Sequence, residues 1–494
     1  MAGKVGLSVL AAALALSLNA ASAQGEGEVI TKQYDDGSVY EGTFRAGRQH
    51  GQGTYRLTNG YEYSGEWADG AITGAGTARY PNGSVYAGAF RDGQPEGRGK
   101  ITFADGGTYD GDWAAGKMTG IGTVTYANGA IYTGSLANGV HDGQGRIENP
   151  GGYIYEGSWA EGIKDGQGRI TYPDGAVYDG ALKAGQRAGK GTLTMPNGLK
   201  YTGDWDKGQI NGTGFLVQPN GDRFEGSFAD GQREGPGKVS FANGDSYDGS
   251  FRKDRRQGTG TFRGADGFRY EGVWVEGRME GTGSVTYPDG SVYVGSFVAD
   301  QAQGRGAITY PDGSVYEGDW TAGAITGKGR ATYAGGQTYE GDFIDAIPNG
   351  SGKMIYPDGY RYEGDWTAGV REGIGNAIYP DGAIYRGAFR AGLRHGKGEL
   401  IQPDGFRYLG DWKDGVIEGM GLATYPSGDV YDGGFRAGKR HGEGVLRYTG
   451  GQEASGIWEQ GVVTAPSDAP ATTAPPDEAT PLEATPPANA TPDN

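Results

Sequence analysis

The chain has 494 residues, of which 100 are glycine, 32 are tyrosine and none is cysteine, and its formal net charge is −17. Glycine is not placed at every third residue, which excludes collagen, and the aromatic content is too high for a disordered chain. Without cysteine, disulfides, thiolate metal sites and an acyl anchor on cysteine are excluded. The acidic balance, −10 over residues 37–461 alone, repels phosphate backbones and anionic head groups. Nucleic acid is therefore not expected as a partner, and membrane-surface binding is disfavoured.

The N-terminus carries Lys4, an apolar run from Val5 to Leu18, and the small-residue step Ala21-Ser22-Ala23. This order reads as a signal peptide over 1–23, cut between Ala23 and Gln24. The run is short for a membrane span, which needs about 20 apolar residues. Export to the periplasm or the exterior is the expectation. Residues 24–36 read as a linker, with Asp35-Asp36 as solvated coil.

From Tyr40 onward an aromatic recurs every 23 residues, from Tyr63 and Tyr86 to Tyr408 and Tyr431, with Phe224 as the single phenylalanine. Eighteen such anchors follow one another without insertion or deletion, and a partial nineteenth unit starts at Ala454. Positions are counted below from each anchor, so that Tyr40 and its equivalents are position 0. Glycine occupies positions 2, 11, 13 and 20 throughout, and position 7 except at Asp254, Asp300 and Ala346. All nine tryptophans stand at position 4: Trp67, Trp113, Trp159, Trp205, Trp274, Trp320, Trp366, Trp412 and Trp458.

Positions 0, 2 and 4 share one face of a strand, because side chains alternate with period two. A second strand is expected from position 11, with apolar residues at 15 and 17, as in Ile101 and Phe103. The opposite face is polar: position 1 is acidic in eleven units, and positions 14 and 16 favour Thr, Lys and Arg. Such alternation marks an antiparallel sheet wet on one side. A short loop such as Ala46–His50 would join the two strands. Turns of the type Tyr172-Pro173-Asp174-Gly175 would lead to the next hairpin, proline presetting φ and glycine supplying a positive φ. Glycine at 2 would face glycine at 13, and 4 would face 11, with an aromatic ring lying over the bare backbone. One hairpin buries too little to stand alone, so stacking must stabilise the array.

The motif Tyr-x-Gly-x-Trp/Phe-x-x-Gly-x-x-x-Gly-x-Gly at a spacing of 23 closely resembles the MORN repeat family over about residues 37–461. The resemblance implies an elongated array of hairpins, often dimeric, that serves as a scaffold or partner-binding surface. The fold expected is all-β: an elongated, twisted single-sheet array of 23-residue antiparallel hairpins. Strand spacing and twist imply a coiled rod.

No constellation for catalysis, cofactor or metal stands out. His50, His395 and His441 share position 10 and His141 sits at 9, so they read as turn residues without a paired ligand. No Lys-Ser/Thr follows the glycine-rich turns, so a phosphate loop has no support. Enzymatic activity is not expected. Asn82, Asn211 and Asn349 lie in sequons but precede glycine, and read as turn residues; the fourth sequon is at Asn489.

Tryptophan alternates with Phe or Leu at position 4 until Phe228 and Phe251 break the order beside Asp254. A junction near 224–256, with Arg252, Lys253, Arg255 and Arg256 repelling one another, is expected to be the least rigid middle hairpin and the first cut by trypsin. From Val462 the sequence turns to Pro, Ala, Thr and acids, which cannot bury enough to fold. The leading functional expectation is an exported spacer or interaction scaffold for an unidentified protein partner. The alternatives are a carbohydrate- or envelope-polymer-binding module using the Trp/Tyr stripe, and a peripheral membrane binder. Some 18 aromatic rows on a one-layer sheet, together with open end strands, point to homodimerisation.

Overall fold

Each 23-residue unit folds as two strands of seven and nine residues, seen first in Val39–Arg45 and Arg48–Arg56. The computed structural model describes residues 27–466. The expected signal peptide and its cleavage point, and the tail beyond 466, lie outside the described residues. Among the described residues there are 39 strands and no helix, and every pairing described is antiparallel. The chain divides into two units: one runs through Pro288 and takes in Phe297–Asp300, the other holds Asp289–Ser296 and continues from Gln301. In each unit, consecutive strands are neighbours in the sheet.

The turn inside each hairpin is tighter than the sequence suggests. Only positions 6 and 7 lie between the strands, both at positive φ, as at Ala46 (51°) and Gly47 (76°). Two successive positive φ values are the geometry of a type I′ turn, whose twist matches the flanking strands. Position 6 is never glycine here, so Ala, Asp, Asn, Glu, Lys or Gln bears the left-handed conformation. The second strand consequently starts at position 8, not at 11. The pairing Gly42↔Gly53 is as expected, whereas Phe44 faces Gln49 and the register shifts between Gly42 and Phe44. In most hairpins this β-bulge leaves position 3 without a partner in its own hairpin and accommodates the unequal strand lengths. Position 11 does face position 4, but of the following hairpin, as Gly51 faces Trp67.

The connection between hairpins is the expected one. Tyr172 N–H donates to the Ala176 carbonyl at 2.8 Å, Gly175 N–H donates to the Tyr172 carbonyl at 2.9 Å, and Gly175 has φ 85°. Asp174 Oδ1 accepts from Ala176 N–H at 3.0 Å, an Asx turn.

Both ends of the array extend beyond their expected bounds. Val29–Gln33, inside the expected linker, is a strand paired with Val39–Arg45. Asp36 is a turn residue and not loose coil: its Oδ1 accepts from Ser38 N–H at 2.9 Å and from Ser38 Oγ at 2.7 Å. At the other end Val462–Pro466, read as the start of the tail, pairs with Glu453–Glu459.

Candidate functional site

Three parallel rows run across the strands on the inner face. The anchors pair with position 15, as Tyr40 with Tyr55, and Tyr55 with Tyr63. Beside them the glycines form an unbroken line, Gly42–Gly53–Gly65–Gly76–Gly88. The anchor ring leans over this line. A Cβ at Gly191 would sit 2.6 Å from Tyr178 Cζ, so no side chain fits beneath the ring. The ring is fixed at its tip, where Tyr178 Oη donates to the Ala181 carbonyl at 2.7 Å. Desolvation pushes the anchor phenols up, to about 12 for Tyr40, Tyr178, Tyr201 and Tyr247.

The third row holds position 4, and it places all nine candidate tryptophans inside. Trp67, Trp113, Trp159, Trp205, Trp274, Trp320, Trp366, Trp412 and Trp458 are between 3% and 7% exposed. Trp205 Nε1 donates to the Gly191 carbonyl of the preceding hairpin at 3.1 Å, and each of the other eight makes the equivalent bond. Anchors and position 4 interlock edge to face, as Tyr40–Trp67 at 5.2 Å and Tyr63–Phe90 at 5.0 Å. Such geometry suits the ring quadrupoles. The stripe is a core.

Position 9 closes that core, a role not visible in the sequence because the residue type varies. Arg187, Arg256, Arg394 and Arg440 lie about 4 Å over Trp205, Trp274, Trp412 and Trp458. Each also donates from Nη2 to a position 7 carbonyl one hairpin on, as Arg187 to Gly208 at 2.8 Å. His141 does the same job by stacking on Tyr132 at 3.6 Å, with Nε2 against Tyr126 Oη at 2.8 Å. Burial lowers its pKa to about 4.

Position 10 caps the next turn. Glu96 accepts from Ala115 N–H at 2.9 Å, Asp165 from Ala184 N–H at 3.0 Å and Glu372 from Ala391 N–H at 2.8 Å. His50 and His395 stand at this position, with Nδ1 3.5 Å from the N–H of Asp69 and Asp414. These two histidines serve turns, as expected, but from strand residues, whereas His141 belongs to the core. Asn211 and Asn349 also lie in strands, and only Asn82 caps a turn, through Ser84 N–H at 3.0 Å. The recurrent Glu, Asp or Gln just before position 11 was the signal for the cap.

The outer face carries the polar residues in two rows. Position 12 pairs with position 3 of the next hairpin, as Lys190–Asp204 at 2.7 Å, Lys328–Asp342 at 2.8 Å and Lys397–Asp411 at 2.8 Å. Position 14 meets position 1 at Lys238–Asp248, 3.3 Å. Lys190 holds the Asp204 carboxyl below the usual carboxylate range. Exposed pairs of this kind contribute about 0–1 kcal/mol each. Between the rows the glycine line is open to solvent in places, as in a trough of about 710 Å³ over Gly180, Gly191, Gly203 and Gly214. No three His, Asp or Glu residues converge as a metal site among the described residues.

These features define a class: an open antiparallel hairpin-repeat protein with an aromatic inner face and a charge-paired outer one. The MORN repeat model matches seventeen segments between residues 40 and 453, all anchored units except 132–154. The chain belongs to the MORN repeat family. The unmatched unit, with Leu136, His141 and Asn149-Pro150-Gly151, folds as the same hairpin, Ile131–Ala137 and Val140–Glu148. No curated protein matches at a significant level. Among solved structures, the chain is similar to the TCP domain of SAS-4 (dCPAP) of Drosophila melanogaster, solved in complex with a proline-rich motif of Ana2 (dSTIL). The identity is 20%, covering 31% of this chain and 86% of that one, with a TM-score of 0.21. The TCP10 domain of Danio rerio CPAP matches at 18% identity over 48% of this chain and 96% of that one, with a TM-score of 0.20. Overlays this poor carry no argument about use.

Proposed function

We propose that the chain is a non-catalytic scaffold or spacer, exported from the cytoplasm, that recruits protein partners through the outer face of its hairpins. The observation that supports this reading is the division of labour between the faces. The aromatic rows are consumed by internal packing, while the outer side chains repeat at fixed spacing and remain in solvent. A regular display of charge pairs gives specificity and orientation to a partner, and little raw affinity.

The test is charge reversal on the outer face. Lys190→Glu with Lys397→Glu should weaken partner recovery from an envelope extract, with thermal stability nearly unchanged. Equal recovery by the doubly reversed chain would refute the outer-face reading. Export is tested separately, by N-terminal sequencing of protein from the extracellular or periplasmic fraction, with Gln24 expected first.

A second reading, binding of a carbohydrate or envelope polymer, draws on the trough over Gly180–Gly214 and not on the buried tryptophans. Titration with glycan or peptidoglycan fragments should then leave tryptophan fluorescence nearly unchanged while calorimetry registers binding. Homodimerisation loses its argument from exposed aromatic rows, since these are covered within one chain. The end strands Val29–Gln33 and Val462–Pro466, with Val29 and Val462 each 65% exposed, remain its basis, and light scattering against concentration measures it.

A further inference from the structure

In the last hairpins of the second unit, position 9 reads Arg394, Ile417 and Arg440, and all three are partly exposed on the inner face. The Arg394 guanidinium lies 4.2 Å from the Trp412 ring, 5.7 Å from that of Tyr385 and 6.0 Å from that of Tyr379. That of Arg440 lies 4.2 Å from the Trp458 ring, 5.6 Å from that of Tyr431 and 5.8 Å from that of Tyr425. Nη2 of each donates to a turn carbonyl, that of Gly415 at 3.0 Å and that of Gly461 at 2.8 Å. Among the described residues neither has a carboxylate within ion-pair distance, and Nε and Nη1 of both make no bond. A carboxylate does fit this position. Arg233, at position 9 of the Phe224 hairpin, donates from Nε to Asp254 Oδ1 at 3.0 Å.

The chain carries acids within reach of both guanidiniums. Its last described strand, Val462–Pro466, ends with Pro466 opposite Gly456, on the strand of the Trp458 that Arg440 covers. Residues 467–494 hold Asp468, Asp477, Glu478, Glu483 and Asp493, and no lysine or arginine. Arg394 and Arg440 are two hairpins apart, about 19 Å at four strand spacings of ~4.8 Å. Asp477 and Glu483 are six residues apart, again about 19 Å at the ~3.1 Å per residue of an extended proline-rich segment. The eleven residues from Pro466 to Asp477 leave slack for the chain to turn back.

We propose that residues 477–483 dock on the inner face of the last hairpins of their own chain. Asp477 or Glu478 meets Arg440, Glu483 meets Arg394, and Pro481 lies over Ile417 between them. The argument is one of charge and spacing: acid, proline, acid against arginine, isoleucine, arginine at the same intervals. Carboxylate and guanidinium pair through charge-assisted bonds, so the contact is sensitive to salt. It uses the inner face and goes beyond outer-face recruitment without resting on it.

The test is digestion of the full chain by a glutamate-specific endoproteinase, which cuts after Glu478 and Glu483. A synthetic peptide of residues 470–490 gives the unprotected rate. At low salt both bonds should be cut at least about fivefold more slowly in the chain than in the peptide, since cutting follows the undocked fraction. At about 0.5 M salt the two rates should converge, because charges are then screened beyond about 4 Å. Arg394→Gln with Arg440→Gln should release the segment at low salt. Should those changes unsettle the hairpins, Glu483→Gln leaves the array untouched, and cutting after Glu478 should then approach the rate of the matching peptide. Cutting of the native chain as fast as the free peptide would overturn the proposal. So would protection that survives the arginine changes or high salt. Protection that deepens with protein concentration would place the segment on a second copy and overturn it too. A chain reversed at Lys190 and Lys397 should keep the protection, so the failure of either reading leaves the other standing.

Discussion

At position 13 the missing side chain is a requirement of the ring above it. Gly191→Ala would place a methyl group against Tyr178, whose Oη is held by the Ala181 carbonyl. The ring cannot withdraw without losing that bond, so the substitution should destabilise by about 1–3 kcal/mol in denaturant titrations. At position 4 the ring and its N–H can be separated. Trp205→Phe keeps the packing against Tyr178 and Tyr201 and loses the bond to the Gly191 carbonyl, at a cost of about 1 kcal/mol. Trp205→Ala should cost about 3–5 kcal/mol. His141 supplies a pH handle. Its pKa falls from 6.5 to about 4 because burial penalises the charged ring, so the folded state keeps it neutral. Below pH 6.5 the unfolded chain takes up a proton that the folded one refuses. The stability His141 contributes is thus whole above 6.5 and declines as pH falls towards 4. The difference in unfolding midpoint between native chain and His141→Gln should shrink over that window; a difference independent of pH would contradict the assignment.

At the scale of the hairpin, the departures from glycine at position 7 are not equivalent. Ala346 bears φ 63° with no compensating side-chain bond described, and Ala346→Gly should stabilise by about 1 kcal/mol. Asp254 bears φ 67° but is anchored by the main chain and side chain of Arg233. Of the like-charged neighbours expected to repel, two side chains have separate partners: Arg255 pairs with Glu276 at 3.3 Å and Arg256 packs on Trp274, while the main-chain N–H of Lys253 donates to Glu234 at 2.9 Å. Phe228 and Phe251 continue the edge-to-face row through Phe224. The turn is stapled, and the division between units falls at 288–301 and not at 224–256. In the native chain trypsin should therefore cut at Lys253, Arg255 and Arg256 no faster than at Arg48 or Arg394. Asp254→Ala, which keeps the strain and removes the staple, should make these bonds the first to be cut. Rapid cutting in the native protein would restore the weak-junction view.

At the scale of the whole molecule, the anchors act together because most of their rings touch the next hairpin's position 4, as Tyr40 touches Trp67 and Tyr385 touches Trp412. Their phenols are raised to about 12 or beyond by desolvation, against 10 in the unfolded chain. A raised acid pKa contributes stability that is complete below pH 10 and is lost as pH climbs through the folded value. Anchor tyrosines should therefore stay un-ionised in ultraviolet titration until the array unfolds, and then ionise in one steep, hysteretic step. Gradual, reversible ionisation of all 32 tyrosines near pH 10 would show that the anchors are open to solvent.

The repeat, its antiparallel hairpins, the polar turn chemistry and the glycine pairing between positions 2 and 13 are readable in one sequence, because period-two alternation and turn residues are local. A 23-residue spacing without insertion leaves no other register for the anchors. What the sequence by itself could not decide was everything that depends on the neighbouring hairpin. The bulge at position 3, the start of the second strand at 8 and the pairing of 11 with the following tryptophan follow from fitting a seven-residue strand against a nine-residue one. The lid at position 9 was hidden because arginine, histidine, proline and isoleucine all close the same gap by different means. Only the tertiary arrangement shows that each tryptophan N–H is held by a carbonyl of the preceding hairpin, as Trp205 is by Gly191. An aromatic stripe on one strand becomes core or binding surface according to what the next strand lays over it.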